Sequence, residues 1–234
     1  MNTDDWRRTY NFAWAVQCFH TLGLLQYVAI FRRYYSQISY IDFYEALISY
    51  AKSHPETLIG REIKNANKIL DKVLQGNGFE QYIHEFSDIS WPMEEASLIR
   101  FSLSIEHLYK GLGDFFNQFI EKNQISINKN VVTDLVRLQK ELIVQPDAKG
   151  LIELNLCADI PGFVHSFRNG EKSSLKMVPT SYQVDRGSGF GGDKKKYAHE
   201  IVWFGRKGGK YFYPLSKKES PSIKNNDMVS ISHS

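Results

Sequence analysis

The segment Pro146-Asp147-Ala148-Lys149-Gly150-Leu151-Ile152-Glu153-Leu154-Asn155-Leu156 divides the chain into two parts. Its first five residues include a proline and a glycine, which end regular structure. Beyond them, apolar and polar side chains alternate, as in a strand with one buried face. Before them, apolar side chains recur at helical spacing. The sequence therefore predicts an α+β fold that is mainly α, with a helical domain over residues 1–146 and a small α+β unit over 147–215.

The first predicted helix is long and begins with Thr3 as its N-cap. Apolar side chains at helical spacing continue to about Tyr35, and Gly23 marks either a bend or a close helix crossing. The uncharged run Thr9–Phe31 is long enough to span a bilayer. Polar side chains interrupt it, however, and arginine pairs flank both of its ends without charge asymmetry. Since no signal-peptide pattern follows Met1 either, we expect a cytoplasmic protein that does not enter the membrane.

Further helices are predicted from capping residues and apolar stripes. Ser39 with Asp42 resembles a capping box, and the helix that it opens ends at His54 before a proline. A helix over 57–75 is expected to turn Glu62 toward water. The remaining expectations are a short helix over 79–89, a helix from Ser90-Trp91-Pro92, one from Ser104 and one capped by Asn130.

The second part of the chain reads as short strands and one short helix. We predict strands over 152–156, 163–167, 175–178 and 182–184, with a turn at Pro161-Gly162. A glycine-rich loop, 186–193, is expected to be mobile, with Asp193 capping the short helix that follows. An aromatic strand over 211–213 ends the unit. From Ser216 to Ser234, serine, lysine and asparagine dominate, and we expect a disordered tail.

Charge is distributed unevenly along the chain. The net charge is +3, but residues 186–224 hold 10 Lys and Arg against 3 Asp and Glu, which leaves the remainder at −4. A basic segment on an acidic body indicates an anionic partner. The alternative is that these lysines only keep a loose tail in solution.

The run from Tyr197 to Leu215 supplies the candidate site. It reads as a helix end, a glycine stop at Gly205, a basic turn and an aromatic strand. Cations near a helix C-terminus are favourable without any ligand, so the pattern has a purely structural explanation as well. The candidate residues for binding an anion or a partner are Arg206, Lys207 and Lys210, beside Trp203 and Tyr197.

Catalytic and metal-binding signatures are not recognisable in the sequence. Cys18 and Cys157 are far apart, and the seven histidines show no metal-ligand spacing, so we predict no zinc or iron–sulfur site within the chain. The glycine-rich loop fits neither of the glycine-rich phosphate-binding motifs, Gly-x-x-x-x-Gly-Lys-Ser/Thr and Gly-x-Gly-x-x-Gly. We predict no catalytic residue, and a cofactor-binding residue is not identified.

Four segments resemble the C-terminal region of cobalamin-binding-domain radical SAM proteins. They are Asp42-Phe43-Tyr44, Leu58-Ile59-Gly60-Arg61-Glu62, Trp91-Pro92-Met93-Glu94-Glu95-Ala96 and, above all, Ile201-Val202-Trp203-Phe204-Gly205-Arg206-Lys207-Gly208-Gly209. The resemblance covers roughly Trp6 to Leu215. It implies a mainly helical region that follows a cobalamin-binding domain and a radical SAM barrel. In that family, S-adenosylmethionine, cobalamin and a [4Fe–4S] cluster held by Cys-x-x-x-Cys-x-x-Cys serve the catalytic domain.

The chain departs from this family because it contains neither the cysteine motif nor a cobalamin-binding domain. The resemblance therefore implies a non-catalytic C-terminal or accessory domain, either a fragment or a free-standing relative, whose partner is a radical SAM/cobalamin catalytic domain or subunit. The alternative is a nucleic-acid or phosphate-binding module that uses the basic, aromatic segment. A stand-alone enzyme is a third hypothesis, with no local signature in its favour.

Overall fold

The computed structural model describes residues 2–172, 174–205 and 211–218, and it shows the predicted mainly α, α+β fold. The helices are α1 Thr3–Val16, α2 Gln26–Ser36, α3 Tyr40–Ser53, α4 Leu58–Leu74, α5 Met93–Ser102, α6 Ile105–Lys122, α7 Lys129–Leu142, α8 Ile160–Arg168 and α9 Lys194–Tyr197. The strands are β1 Gln81–Tyr82, β2 Ser90–Trp91, β3 Leu151–Leu156, β4 Thr180–Asp185 and β5 Leu215–Lys217. Two π-helical turns, Gln17–Thr21 and Ala198–Trp203, continue α1 and α9.

The strands form two small antiparallel sheets. One is the β1–β2 ribbon, in which Gln81 pairs with Trp91. The other has the order β3-β4-β5, with Leu154 opposite Tyr182 and Val184 opposite Leu215. The alternating burial along β3 confirms the strand that its sequence predicted, because Leu154 and Leu156 are buried and their neighbours are exposed or half-buried.

The first predicted helix is interrupted, so a single helix from Thr3 to Tyr35 is wrong. Asn2, and not Thr3, is its N-cap, and α1 and α2 meet at 99° around a break that contains Gly23. Gly23 has φ +87°, and a Cβ on it would lie 2.7 Å from the Phe212 ring. The residue therefore marks both a bend and a close contact.

Among the described residues, no single helix has the length and apolar character needed to cross a bilayer. Length and apolar composition are sufficient only for a bent pair of helices taken together, Thr3–Thr21 and Gln26–Ser36.

Several predicted helix ends are confirmed. The Ser39 hydroxyl accepts a hydrogen bond from Asp42 N at 3.0 Å and donates one to the Asp42 carboxylate at 2.7 Å. Helix α3 ends at Ser53 with His54 as its C-cap, which confirms the predicted stop at His54-Pro55. Helix α7, in contrast, is capped by Asn128 rather than Asn130. The predicted helix over 79–89 is replaced by β1 and irregular chain.

The clearest error concerns residues 163–167, predicted as a strand, which belong to α8. Asp159 caps this helix by accepting from Gly162 N at 3.1 Å, and Pro161 lies in the first turn, where its missing N–H costs nothing. Pro161-Gly162, predicted as a turn, instead lies in the first turn of α8. Residues 175–178 are not a strand either.

The end of the chain also differs from expectation. Residues 211–213 form no strand, although Phe212 makes an isolated bridge with Ile143. The last strand, β5, includes Ser216 and Lys217, where the predicted disordered tail was expected to begin. Residues 219–234 of that tail lie outside the described part of the chain.

One continuous hydrophobic core includes side chains from both sides of the predicted boundary at residue 146. Phe163 of α8, for example, packs edge-on against Phe31 and Tyr34 of α2, with ring centroids 5.6 and 4.8 Å apart. The boundary thus marks the change from α7 to β3, and the two parts share their packing.

Candidate functional site

The second π-helical turn places the aromatic residues of the candidate site. Asp193 caps α9 as predicted, with Lys196 N donating to Asp193 Oδ1 at 2.9 Å. Tyr197, the last residue of α9, is fully buried, and its hydroxyl donates to the Val144 carbonyl at 3.2 Å. Burial raises the pKa of Tyr197 well above its ordinary value. Tyr197 is therefore a core residue, contrary to its predicted place on a binding surface.

Trp203 connects two of the segments that carry the family resemblance. Its ring stands edge-on to the ring of Trp91, with centroids 6.1 Å apart and planes at 83°. Trp91 is fully buried at the end of β2, whereas Trp203 is half-buried. Such edge-to-face pairs add about 0.5–1.5 kcal/mol beyond the area that they bury. The contact fixes the π-helical turn against the β1–β2 ribbon.

Large apolar side chains remain exposed on both elements of this contact. Phe204, which follows Trp203, is 53% exposed and lies edge-on to His199 at 4.5 Å. Tyr82 of β1 is 64% exposed. In the ribbon, Tyr82 pairs with Ser90 and so faces away from Trp91. We call the surface formed by Trp203 and Phe204, beside the β1–β2 ribbon, the ribbon face. It is an aromatic surface on a well-anchored turn, which is a common composition for a protein-binding site.

Two lysines of α9, Lys194 and Lys195, are paired with acidic residues of the same chain. Lys194 contacts Glu85 at 2.8 Å, and Lys195 contacts Asp88 at 3.5 Å, so α9 is held against the loop after β1. These pairs are exposed, so each contributes little to stability. Even so, these ion pairs show that carboxylates from the acidic part of the chain already partner lysines of the basic segment.

The same pairing continues in other parts of the basic segment. Arg186 contacts Glu141 of α7. The lysines of the last described residues behave alike: Lys217 contacts Asp159 at 2.9 Å, and Lys218 contacts Glu153. The predicted anion- or partner-binding residues Arg206, Lys207 and Lys210 lie outside the described residues, so their role stays a prediction.

The glycine-rich loop is packed against the segment that divides the chain. Gly150 N donates to the Gly187 carbonyl at 2.8 Å, and Arg186 N donates to the Gly150 carbonyl at 2.9 Å. A Cβ on Gly189, which has φ +67°, would lie 2.7 Å from the Ala148 carbonyl oxygen. Glycine at that position is explained by close backbone packing and by its left-handed conformation.

Another resemblance segment, residues 58–62, contributes its last residue to a buried polar network that was not predicted from the sequence. Glu62 was predicted to face water, but it is only 7% exposed. Its carboxylate accepts hydrogen bonds from Arg100 Nε at 3.0 Å and from the Ser97 hydroxyl at 2.9 Å, and Trp14 Nε1 donates to Ser97 Oγ at 2.9 Å. The signal available in the sequence was the small, polar Ser97 within an otherwise apolar helix face.

The two cysteines are free and have different surroundings. Cys18 is fully buried, and its thiol donates to the Glu94 carbonyl at 3.2 Å. Burial and, secondarily, the Glu62 and Glu94 carboxylates raise the pKa of the Cys18 thiol. Burial and the adjacent Asp134 also raise the pKa of half-buried Cys157. Within the described ranges, no group of three or more His, Cys, Asp or Glu side chains is arranged to hold a metal ion.

Comparison with known proteins gives no assignment: no protein-family model matches the chain, and no curated protein matches it. The observations that bear on function are therefore the ribbon face, the internal ion pairs and the way in which the resemblance segments assemble.

Proposed function

We propose that this chain is a non-catalytic accessory or C-terminal domain that docks through the ribbon face onto the catalytic domain of a cobalamin-dependent radical SAM enzyme. The observation that carries the proposal is the contact between Trp91 and Trp203. It brings together two sequence segments that resemble this family, and it presents the exposed ring of Phe204 beside them.

The buried state of the other resemblance residues supports a scaffolding role for these segments. Phe43, Gly60, Glu62 and Trp91 are all buried, and they hold α3, α4 and β2 in the core. Gly60 is needed for close packing, because a Cβ there would lie 2.0 Å from the His54 carbonyl oxygen. These residues of the resemblance segments thus belong to the core, and we propose that this core supports the ribbon face.

The ribbon face has the chemistry of an interface core. Each large aromatic side chain contributes about 150–250 Å² when fully buried. Phe204 leaves more than half of its surface open, and it directly follows Trp203, whose ring is fixed against Trp91. Rigid, exposed aromatics of this kind lose little conformational entropy on binding.

The cofactors of the family belong, in this proposal, to the catalytic domain. A [4Fe–4S] cluster needs at least three nearby thiolates, whereas this chain has two cysteines, of which Cys18 is buried and donates to Glu94. The side chains described here do not fit the cluster, and no step of radical chemistry is assigned to them.

The experiment measures binding to the catalytic domain encoded in the same genome, identified by its cobalamin-binding domain and Cys-x-x-x-Cys-x-x-Cys motif. We expect the purified chain to bind it, as measured by isothermal titration calorimetry. Phe204→Ser should weaken binding about ten- to thirtyfold, as for a central aromatic contact. Ile41→Ser is the matched control, because Ile41 is 62% exposed on α3, away from the ribbon face.

Equal loss of affinity in the Phe204 and Ile41 variants, or no binding by the unmodified chain, would contradict the proposal. The nucleic-acid hypothesis gives a different result in a parallel titration with single-stranded RNA: affinity falls steeply with salt, and Arg206→Ala with Lys207→Ala abolishes it. The internal ion pairs of Arg186, Lys194 and Lys195 favour the docking proposal, since these cations already have carboxylate partners.

A further inference from the structure

A groove runs between α3 and α6 and shares no residue with the ribbon face. Its volume is about 180 Å³. The two helices are antiparallel here, because Phe43 meets Phe119 and Tyr50 meets Phe115. The groove is lined by Ala46, Ser49, Tyr50, Ser53 and His54 of α3 and its end, and by Phe115, Gln118, Phe119 and Lys122 of α6.

The floor of the groove is aromatic and held in place. Phe115 and Phe119 are 3% and 5% exposed, and their rings lie 5.9 Å apart. Phe43 fixes both rings from the core side, at 5.4 and 5.1 Å. Opposite this floor, Ala46 leaves space because its side chain is a single methyl group. The groove is therefore preformed and needs no rearrangement to accept an apolar group.

The two ends of the groove are polar in different ways. At one end, the His54 ring stacks on Tyr50 at 4.1 Å, and its Nδ1 donates to the Tyr50 carbonyl at 2.9 Å. When the imidazole is neutral, this bond leaves Nε2 as the hydrogen-bond acceptor. At the other end lies the ammonium group of Lys122, the last residue of α6, which contacts no carboxylate of the described residues.

We propose that this groove binds a small carboxylate whose body is an aromatic ring or a branched alkyl group. The body would lie on Phe115 and Phe119, and the carboxylate would pair with Lys122. The volume is below that of a drug-sized site, so the ligand is a metabolite of about the size of a single amino acid. The proposal is independent of the docking function.

The test uses 3-phenylpropionate and its neutral isostere 3-phenylpropanamide as probes, with binding followed by the ¹H–¹⁵N shifts of α3 and α6. For ligands of this size, we expect the acid to bind with a Kd on the order of 1 mM. The acid should bind about three- to fivefold more tightly than the amide, which is the range of a solvent-exposed ion pair. Lys122→Met should remove that preference and leave amide binding unchanged.

Two variants complete the design. Ala46→Phe fills the groove and should abolish the shifts with both probes, whereas Lys110→Met, on an exposed part of α6 outside the groove, should leave them unchanged. No shift at about 10 mM of either probe overturns the proposal. So does an acid-to-amide ratio that survives Lys122→Met, and so does a folded Ala46→Phe variant that binds like the unmodified chain.

Discussion

Replacing Arg100 by methionine should destabilise the protein substantially, because it leaves the Glu62 carboxylate buried without its cation. Glu62 has a side-chain exposure of 9% and Arg100 of 29%, and the pair is joined to Ser97 and Trp14 by hydrogen bonds. Removing one partner of a fully buried pair costs about 3–5 kcal/mol. Since water reaches part of Arg100, we expect Arg100→Met to lower the free energy of unfolding by about 2–3 kcal/mol.

Urea unfolding followed by tryptophan fluorescence measures this change, and for a chain of this length it corresponds to a fall in Tm of about 4–12 °C. The double variant Glu62→Gln with Arg100→Met removes the unpaired charge. We expect it to recover at least about 1 kcal/mol relative to the sum of the single changes, because the two side chains interact directly.

The matched control is Arg8→Met, because Arg8 pairs with Glu45 at 3.0 Å but has a side-chain exposure of 73%. Its effect should stay below about 0.5 kcal/mol. If Arg100→Met also changes stability by no more than about 0.5 kcal/mol, or if the effects of Glu62→Gln and Arg100→Met are additive, the buried network does not hold α4 against α5.

Three further predictions follow from other contacts. Gly60→Ala should cost about 1–3 kcal/mol through its clash with the His54 carbonyl, whereas Gly113→Ala, whose Cβ would meet only Val136 at 3.8 Å, should stabilise by about 0.5–1 kcal/mol in the same unfolding assay. Burial raises the pKa of Asp159, but hydrogen bonds from Lys217 and Tyr182 outweigh burial, so the net effect lowers the pKa below its ordinary value of 3.8. The stability that the carboxylate contributes is therefore present above pH 3.8 and is lost as the pH falls through the folded-state pKa. Asp159→Asn should therefore be less stable than the unmodified protein at pH 7 and equally stable at the acid end of a pH series of unfolding curves. In a thiol assay at pH 8, Cys157 should react in the native protein and Cys18 only after unfolding; equal native rates would contradict the burial described here.

The part of the fold that follows from local sequence was predicted well. Ser39, the His54-Pro55 stop and the alternation over 152–156 each act within a few residues, and the elements that they specify were found. The break near Gly23 shows the limit of such reasoning. Its glycine was noticed, but the contact with Phe212, which explains the close approach, joins positions far apart in the chain.

At the candidate site, too, the wrong prediction concerns a residue whose position depends on contacts between distant parts of the chain. Tyr197 was predicted at a binding surface because aromatic and basic residues alternate around it, yet it is buried against Val144 and Phe86, which lie far from it in the sequence. Trp203 lies against Trp91, and its role as a binding residue stays a prediction. Its partner Trp91 was explained as a helix start, because nothing in the sequence connects the two segments.

If a catalytic domain docks on the ribbon face, as proposed, its binding should protect the backbone there. Hydrogen–deuterium exchange of the chain, alone and with the radical SAM/cobalamin domain from the same genome, tests it directly. Docking on the ribbon face predicts added protection of backbone amides over 81–91 and 198–205, with α3, Tyr40–Ser53, unchanged. Protection confined to α3 or to other surfaces, or no protection at concentrations where the two proteins bind, would contradict it.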